Sequence, residues 1–262
     1  MDTFRVPGVD ASLCYHDLPG SSPAVVFLPG LGGAASEGYV GLARHPLLAP
    51  HGALLVDLMG FGYADRPESF GYTMEEHADS VAALLDHLGL RGCHVMGHSM
   101  GGSVAILLAA RRPELVAALA VAEGNLDPGK GSVSVHIAGQ PEDDYVRAGH
   151  AALSRDFEAG LGDTAAYGGL LRTFRSAAPY AVHRSARSLL ADRQPTFREA
   201  LEGLSIPRTY IVGARSLPDF PEGPVPTQGG VIVAEVADAS HGMHVDNPEG
   251  FAHAVAHAFG YC

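Results

Sequence analysis

Six short apolar runs recur along this chain with helix-like stretches between several of them, and this alternation restricts the fold more than any other feature. They are AVVFLP (24–29), ALLVDLMG (53–60), CHVMG (93–97), LVAALAVAEG (115–124), RTYIVG (208–213) and VIVAEV (231–236). Continuous rather than alternating apolarity marks strands buried on both faces, as in a parallel sheet. Helical periodicity occupies the intervals. Thr73 reads as an N-cap, Glu76 completes a capping box, and Val81, Leu84, Leu85 and Leu88 share one face before Gly89 ends the helix. A second helix is expected from about Gly101 to Arg112, stopped by Pro113, and a last one from about Pro248 to Phe259. Strand–helix repetition at this spacing predicts a doubly wound α/β sheet.

The pattern breaks after residue 124. Residues 125–200 hold no apolar run of similar quality and are helical in pattern, interrupted by Gly, Pro and charge. The expected organisation is a core of residues 1–124 and 196–262, with a helical cap inserted over 125–195. Ligands in open α/β sheets bind outside the C-terminal strand ends, where such a cap would cover them; a second packed helical layer is the plainer alternative. The 262 residues are more than one average domain, and the insertion accounts for the excess.

Composition narrows the partners. Apolar residues make up 47% and charged residues 18%, which excludes wholesale disorder. A net charge of −12 repels phosphate backbones, so no nucleic-acid partner is expected. Cys14, Cys93 and Cys262 are too few, and odd in number, for a disulfide framework. The segment MDTFRVPGVD is not a basic region followed by an apolar leader, and no long uncharged apolar stretch is present. A soluble, cytoplasmic protein without a membrane partner is the expectation. Oligomeric state is not readable.

Gly97-His98-Ser99-Met100-Gly101 follows an expected strand and opens an expected helix. In that context G-x-S-x-G is a nucleophile elbow, a strained turn that lifts the serine oxygen above the sheet. Small residues two before and two after Ser99 avoid clashes in so tight a turn. The helix that follows aims its first amides at the same point, favouring a developing oxyanion. His98 points away from the serine's side of such a turn and reads as a packing or pocket-wall residue rather than a base.

Four segments together make the chain resemble the α/β-hydrolase superfamily from about residue 20 to 260. They are Leu28-Pro29-Gly30-Leu31-Gly32-Gly33, Asp57-Leu58-Met59-Gly60-Phe61-Gly62, Gly97–Gly102, and Ser240-His241-Gly242-Met243-His244 leading to Asn247-Pro248-Glu249. The resemblance implies a mostly parallel sheet, a nucleophilic Ser99 and oxyanion donors at the backbone amides of Leu31 and Met100. Pro29 stands where the superfamily usually has histidine. His241 is the implied base, because it follows the last strand and precedes Pro248 by the usual interval; His244 is the runner-up and is expected against the last helix. His253 and His257 read as a solvated helix face, and Asp57 and Asp65 as turn-shaping residues.

The acid departs from the usual pattern. The slot three residues past the glycine closing the seventh strand holds Ser216, in Gly213-Ala214-Arg215-Ser216. Glu123 instead closes the apolar run before it, and an unpaired carboxylate there would be costly. Glu123 is therefore the favoured partner of His241, with Asp219 as the alternative. In its length, strand-end glutamate and absent aspartate the chain is similar to the fungal zearalenone lactonases.

These readings imply acyl transfer through an acyl-enzyme, without cofactor or metal, on a small and largely apolar ester or lactone. The pocket is expected to use Gly32, His98, Phe157, Tyr167, Phe174 and His244, although the aromatic residues read equally well as interior of the insertion. The same triad could perform C–C bond hydrolysis or perhydrolysis, and the fold could also serve a non-enzymatic ligand sensor.

Overall fold

The computed structural model describes residues 1–160, 167–217, 225–226 and 228–262. Among the described residues eight strands form one sheet: β1 (Asp2–Arg5), β2 (Ser12–Leu18), β3 (Ser21–Leu28), β4 (His51–Asp57), β5 (Cys93–His98), β6 (Val116–Ala122), β7 (Arg208–Gly213) and β8 (Ile232–Val236). Their spatial order is β1-β2-β4-β3-β5-β6-β7-β8. From β4 to β8 every neighbouring pair is parallel, while β1 and β2 add an antiparallel edge, with Cys14 opposite Asp57. All six apolar runs are strands, and the expected mostly parallel α/β sheet is present.

The runs are continuously apolar because helices cover both faces. Val26, Leu28, Leu54, Val56, Val95, Leu119, Val121 and Val212 enter one core, shared with Val81, Leu84 and Leu85. Val25, Phe27, Leu55, Met96, Ala120, Ala122 and Ile211 enter the other, shared with Phe251 and Val255. Successive residues thus alternate between two dry interiors.

The helices are α1 (Ala35–Gly38), α2 (Val40–Ala43), α3 (Met74–His87), α4 (Met100–Arg111), α5 (Ser132–Ala138), α6 (Glu142–Asp144), α7 (His150–Gly160), α8 (Gly168–Ser176), α9 (Pro179–Leu190), α10 (Phe197–Gly203), α11 (Met243–Asp246) and α12 (Pro248–Ala258). The Thr73–Glu76 capping box starts α3. Between β6 and β7 the described residues contain helices and no strand. That stretch is fastened to the β4–α3 connection: the Ala178 amide donates to Gly60 O at 3.0 Å and the Met74 amide to Ser188 Oγ at 3.0 Å. Ala181, Val182, Ala186 and Leu189 of α9 join the first core.

Asp57 is fully buried and shapes the turn after β4 by accepting from the Ser36 amide (3.0 Å), the Ser36 hydroxyl (2.7 Å) and the Tyr63 amide (3.0 Å). Asp65 accepts from the Ser12 amide at 2.8 Å. The three cysteines are unpaired, two of them buried. Among the described residues no helix is long and apolar enough to cross a membrane.

Candidate active site

Ser99 sits between β5 and α4 with φ 53° and ψ −125°. A non-glycine residue rarely accepts positive φ, and the surroundings enforce it here. A Cβ at Gly97 would lie 2.3 Å from Gly101 O, and one at Gly101 would lie 2.4 Å from Leu28 O. The turn can close only with glycine on both sides, as the spacing around Ser99 predicts. Met100 is the first residue of α4, so its amide has no partner within the helix.

The loop after β3 comes up beside this turn. Gly30 O accepts from the Gly33 amide at 2.9 Å, and Gly32 carries the positive φ (71°) that the third position of a type II turn requires. A Cβ at Gly30 would approach Ser99 Cβ to 3.2 Å, so the loop after β3 lies directly against Ser99. Phe174 packs on Gly32, where a Cβ would meet its ring at 2.7 Å.

Glu123 follows β6 with φ 45° and is 1% exposed. Both its oxygens are used: Oε1 accepts from the Gly213 amide at 2.8 Å and Oε2 faces His241 Nδ1 at 2.7 Å. Gly213 ends β7, the strand hydrogen-bonded to β6, so sheet pairing itself presents that amide to the carboxylate. His241 is 46% exposed at its side chain, open toward the site while its Nδ1 is held from below. The charged end of the apolar run thus has a partner, and that partner is the histidine singled out after the last strand. Ser216 bonds through its amide to Gly213 O at 2.9 Å. Asp219 lies outside the described residues.

His98 is buried under His241. Its Nε2 is 2.8 Å from His241 O and the two rings are 4.7 Å apart. Burial pushes the His98 imidazole well below its ordinary pKa, the charges of His241 and His244 act in the same sense, and the bond to the His241 carbonyl opposes them. The ring is therefore neutral, and a carbonyl can only accept, so the single proton sits on Nε2. His98 holds the loop of His241 and lies beside the Gly30–Gly33 turn, since a Cβ at Gly30 would be 3.4 Å from its Nδ1.

Of the other expected pocket residues, Tyr167 packs its ring on Gly242 and donates its hydroxyl to Asp246. His244 lies on Tyr39 and His98, with centroid separations of 5.2 and 5.4 Å. Phe157 packs on Phe174 at 5.2 Å, one layer out from Gly32. His253 pairs with Glu249 at 3.3 Å on the surface of α12. Among the described residues no group of three His, Cys, Asp or Glu side chains is arranged to hold a metal ion.

Asp246 is a residue that motif reading passes over. It accepts from the Ser240 amide (2.7 Å) and hydroxyl (2.6 Å) and faces Arg215 at 3.3 Å, bracing the loop that carries His241. Burial alone would raise its carboxyl; the bonds from Ser240 and Tyr167 and the Arg215 charge hold it below the usual range. Its signal in sequence is weak, an aspartate five residues after a histidine in a loop.

A family model described as the alpha/beta hydrolase fold matches residues 23–157. Among curated relatives, the sn-1-specific diacylglycerol lipase ABHD11 of Mus musculus is 35% identical over 113 residues, 42% of this chain and 36% of that protein. The matched stretch spans little more than a third of the length of the curated relatives most similar to it. Among solved structures, a thermophilic esterase from Thermogutta terrifontis superposes with TM-score 0.82 at 22% identity, over 99% of this chain and 97% of that one. The enol-lactonase of Burkholderia xenovorans LB400 superposes with TM-score 0.79 at 22% identity, over 99% of this chain and 100% of that one.

Proposed function

The chain belongs to the α/β-hydrolase fold family, and from that membership we propose that it is a serine hydrolase cleaving a small, largely apolar carboxylic ester or lactone through a Ser99–His241–Glu123 triad. The observation that carries the proposal is the buried Glu123 carboxylate, 2.7 Å from His241 Nδ1 and clamped by the Gly213 amide, beside the strained elbow at Ser99.

In this mechanism Ser99 Oγ attacks the carbonyl carbon as His241 Nε2 takes its proton. The carbonyl oxygen becomes an oxyanion that accepts from the Leu31 and Met100 amides, each such donor contributing roughly 3–4 kcal/mol to the transition state. Collapse breaks the C–O bond, and the imidazolium returns its proton to the leaving alkoxide. Water then attacks the acyl-enzyme by the reverse proton path, freeing the acid and restoring Ser99. Glu123 keeps the Nδ1–H tautomer and stabilises the imidazolium. Residues 125–195 act as the cap, with Phe174 over Gly32 and Tyr167 against Gly242 walling the site. The apolar wall favours a neutral substrate, and a lone serine nucleophile needs no cofactor.

The test is a panel of short p-nitrophenyl esters and lactones assayed with the wild-type chain. Turnover of ester or lactone is expected, and no turnover of any member by the folded protein overturns the proposal.

A further inference from the structure

Tyr167 immediately precedes α8, in the helical stretch between β6 and β7, yet its ring and its hydroxyl both end on the loop that carries His241. The ring lies on Gly242, where a Cβ would stand 2.9 Å from Tyr167 Cε1 and 3.0 Å from its hydroxyl oxygen. The φ of Gly242 is −85°, which any residue adopts, so this position needs glycine to make room for the tyrosine ring. The hydroxyl donates to Asp246 Oδ1. Asp246 Oδ2 accepts from the Ser240 amide at 2.7 Å and the Ser240 hydroxyl at 2.6 Å, and faces Arg215 at 3.3 Å. Tyr167 thereby grips the residue after His241 directly and the residue before it through Asp246.

The His241 side chain is 46% exposed, so little packs over it. Glu123 anchors Nδ1 at 2.7 Å and His98 anchors the carbonyl at 2.8 Å. Those two bonds leave the ring a pivot about Nδ1, and the backbone at Ser240 and Gly242 fixes the direction in which Nε2 points. A carboxylate turns easily about its terminal torsion. The phenol on Oδ1 stops that turning and keeps Oδ2 on Ser240. The Asp246 side chain is only 10% exposed, so solvent is a poor substitute for the phenol.

We infer that Tyr167 is a positioning residue for the proposed hydrolysis, clasping the His241 loop through Asp246 and Gly242 and so keeping Nε2 aimed at Ser99. The helical stretch between β6 and β7 is thus part of the support of the base and not a cover alone. This rests on the reading of His241 as the base that activates Ser99.

The test compares the wild-type chain with Tyr167→Phe, which keeps a ring on Gly242 and removes only the donor. Two readouts are taken, kcat and KM on p-nitrophenyl acetate and the rate at which a small fluorophosphonate labels Ser99. Both probes are too short to depend on a pocket wall, and both report how well His241 activates the serine. The expected result is a ~10-fold fall in kcat with KM changed by less than about twofold, because a misplaced base acts on turnover rather than on binding. The labelling rate falls in parallel. In Asp246→Ala the phenol has lost its acceptor, so adding Tyr167→Phe lowers kcat no further. Gly242→Ala, which displaces the ring, serves in the same way if Asp246→Ala does not fold. Wild-type kcat and labelling in Tyr167→Phe, a raised KM at unchanged kcat, or losses that simply multiply in the double variant overturn the inference while leaving ester hydrolysis intact. If the wild-type chain neither turns over any ester nor labels at Ser99, the hydrolase reading falls and the inference falls with it.

Discussion

Replacing Glu123 by Gln tests the proposed acid with little change of shape. The present carboxylate receives the Gly213 amide on Oε1 and the His241 Nδ1 proton on Oε2. In the variant the Gly213 N–H still needs an acceptor, so the amide oxygen turns toward it and the NH₂ group faces His241 Nδ1. Nδ1 must then accept, the ring proton moves to Nε2, and the base can no longer take the Ser99 proton. The opposite orientation sets NH₂ against a backbone N–H in a site 1% exposed and costs ~1–3 kcal/mol, so the unproductive tautomer prevails. Loss of the tautomer and of the imidazolium's counter-charge predicts a drop in kcat of ~10³–10⁴, or about 4–5.5 kcal/mol of barrier. The assay is kcat on the best p-nitrophenyl ester from the panel, with the Tm measured in parallel to show that the fold persists. Retention of more than ~10% of wild-type kcat by folded Glu123→Gln refutes the assignment, most clearly if Asp219→Asn abolishes turnover instead.

Three further outcomes follow from the packing. Gly101→Ala places a Cβ 2.4 Å from Leu28 O and 2.5 Å from Pro29 O, so on the order of 3 kcal/mol is lost and Tm falls by roughly 10 °C; an unchanged Tm contradicts the reading of the elbow. Asp57→Asn gives up a charged acceptor bonded by Ser36 and Tyr63 and costs ~2–3 kcal/mol in urea denaturation. Burial lowers His77 to about 4, with the Glu76 charge acting in the opposite sense, against about 6.5 in the unfolded chain. The unfolded state therefore binds more protons between those values, and this stability is complete above ~6.5 and lost as pH falls toward 4. His77 alone removes about 2 kcal/mol by pH 5; His77→Gln should flatten that part of the pH dependence, and an unaltered slope would show that His77 does not carry it.

The sheet was legible because its central strands are wet on neither face, which leaves continuous apolar runs such as AVVFLP that no amphipathic helix produces. The edge was not: β1 and β2 are antiparallel and partly exposed, so their residues never form such a run. Glu123 was legible for a physical reason, since a carboxylate closing a buried strand must have a partner, and the structure sets it 2.7 Å from His241 Nδ1. The second half of that clamp was hidden, because the Gly213 amide reaches Glu123 through the β6–β7 register and not through any residue type. Long-range polar braces were equally silent. His150 Nε2 is 3.0 Å from Phe174 O, and this ties α7 to the ring over Gly32, yet the two residues carry no local pattern that links them. The places of His98 and His244 were only half visible: both lie close to His241 in sequence or space, but the carbonyl that His98 holds and the unsatisfied ring of His244 belong to three-dimensional geometry.

Whether Ser99 is an activated nucleophile can be read from covalent labelling. The folded chain is treated with a fluorophosphonate at neutral pH and the adduct is mapped by mass spectrometry. One stoichiometric adduct is expected on Ser99, absent in Ser99→Ala and strongly slowed in His241→Ala. A wild-type chain that stays unlabelled, or labels on another serine at an unchanged rate in Ser99→Ala, contradicts it.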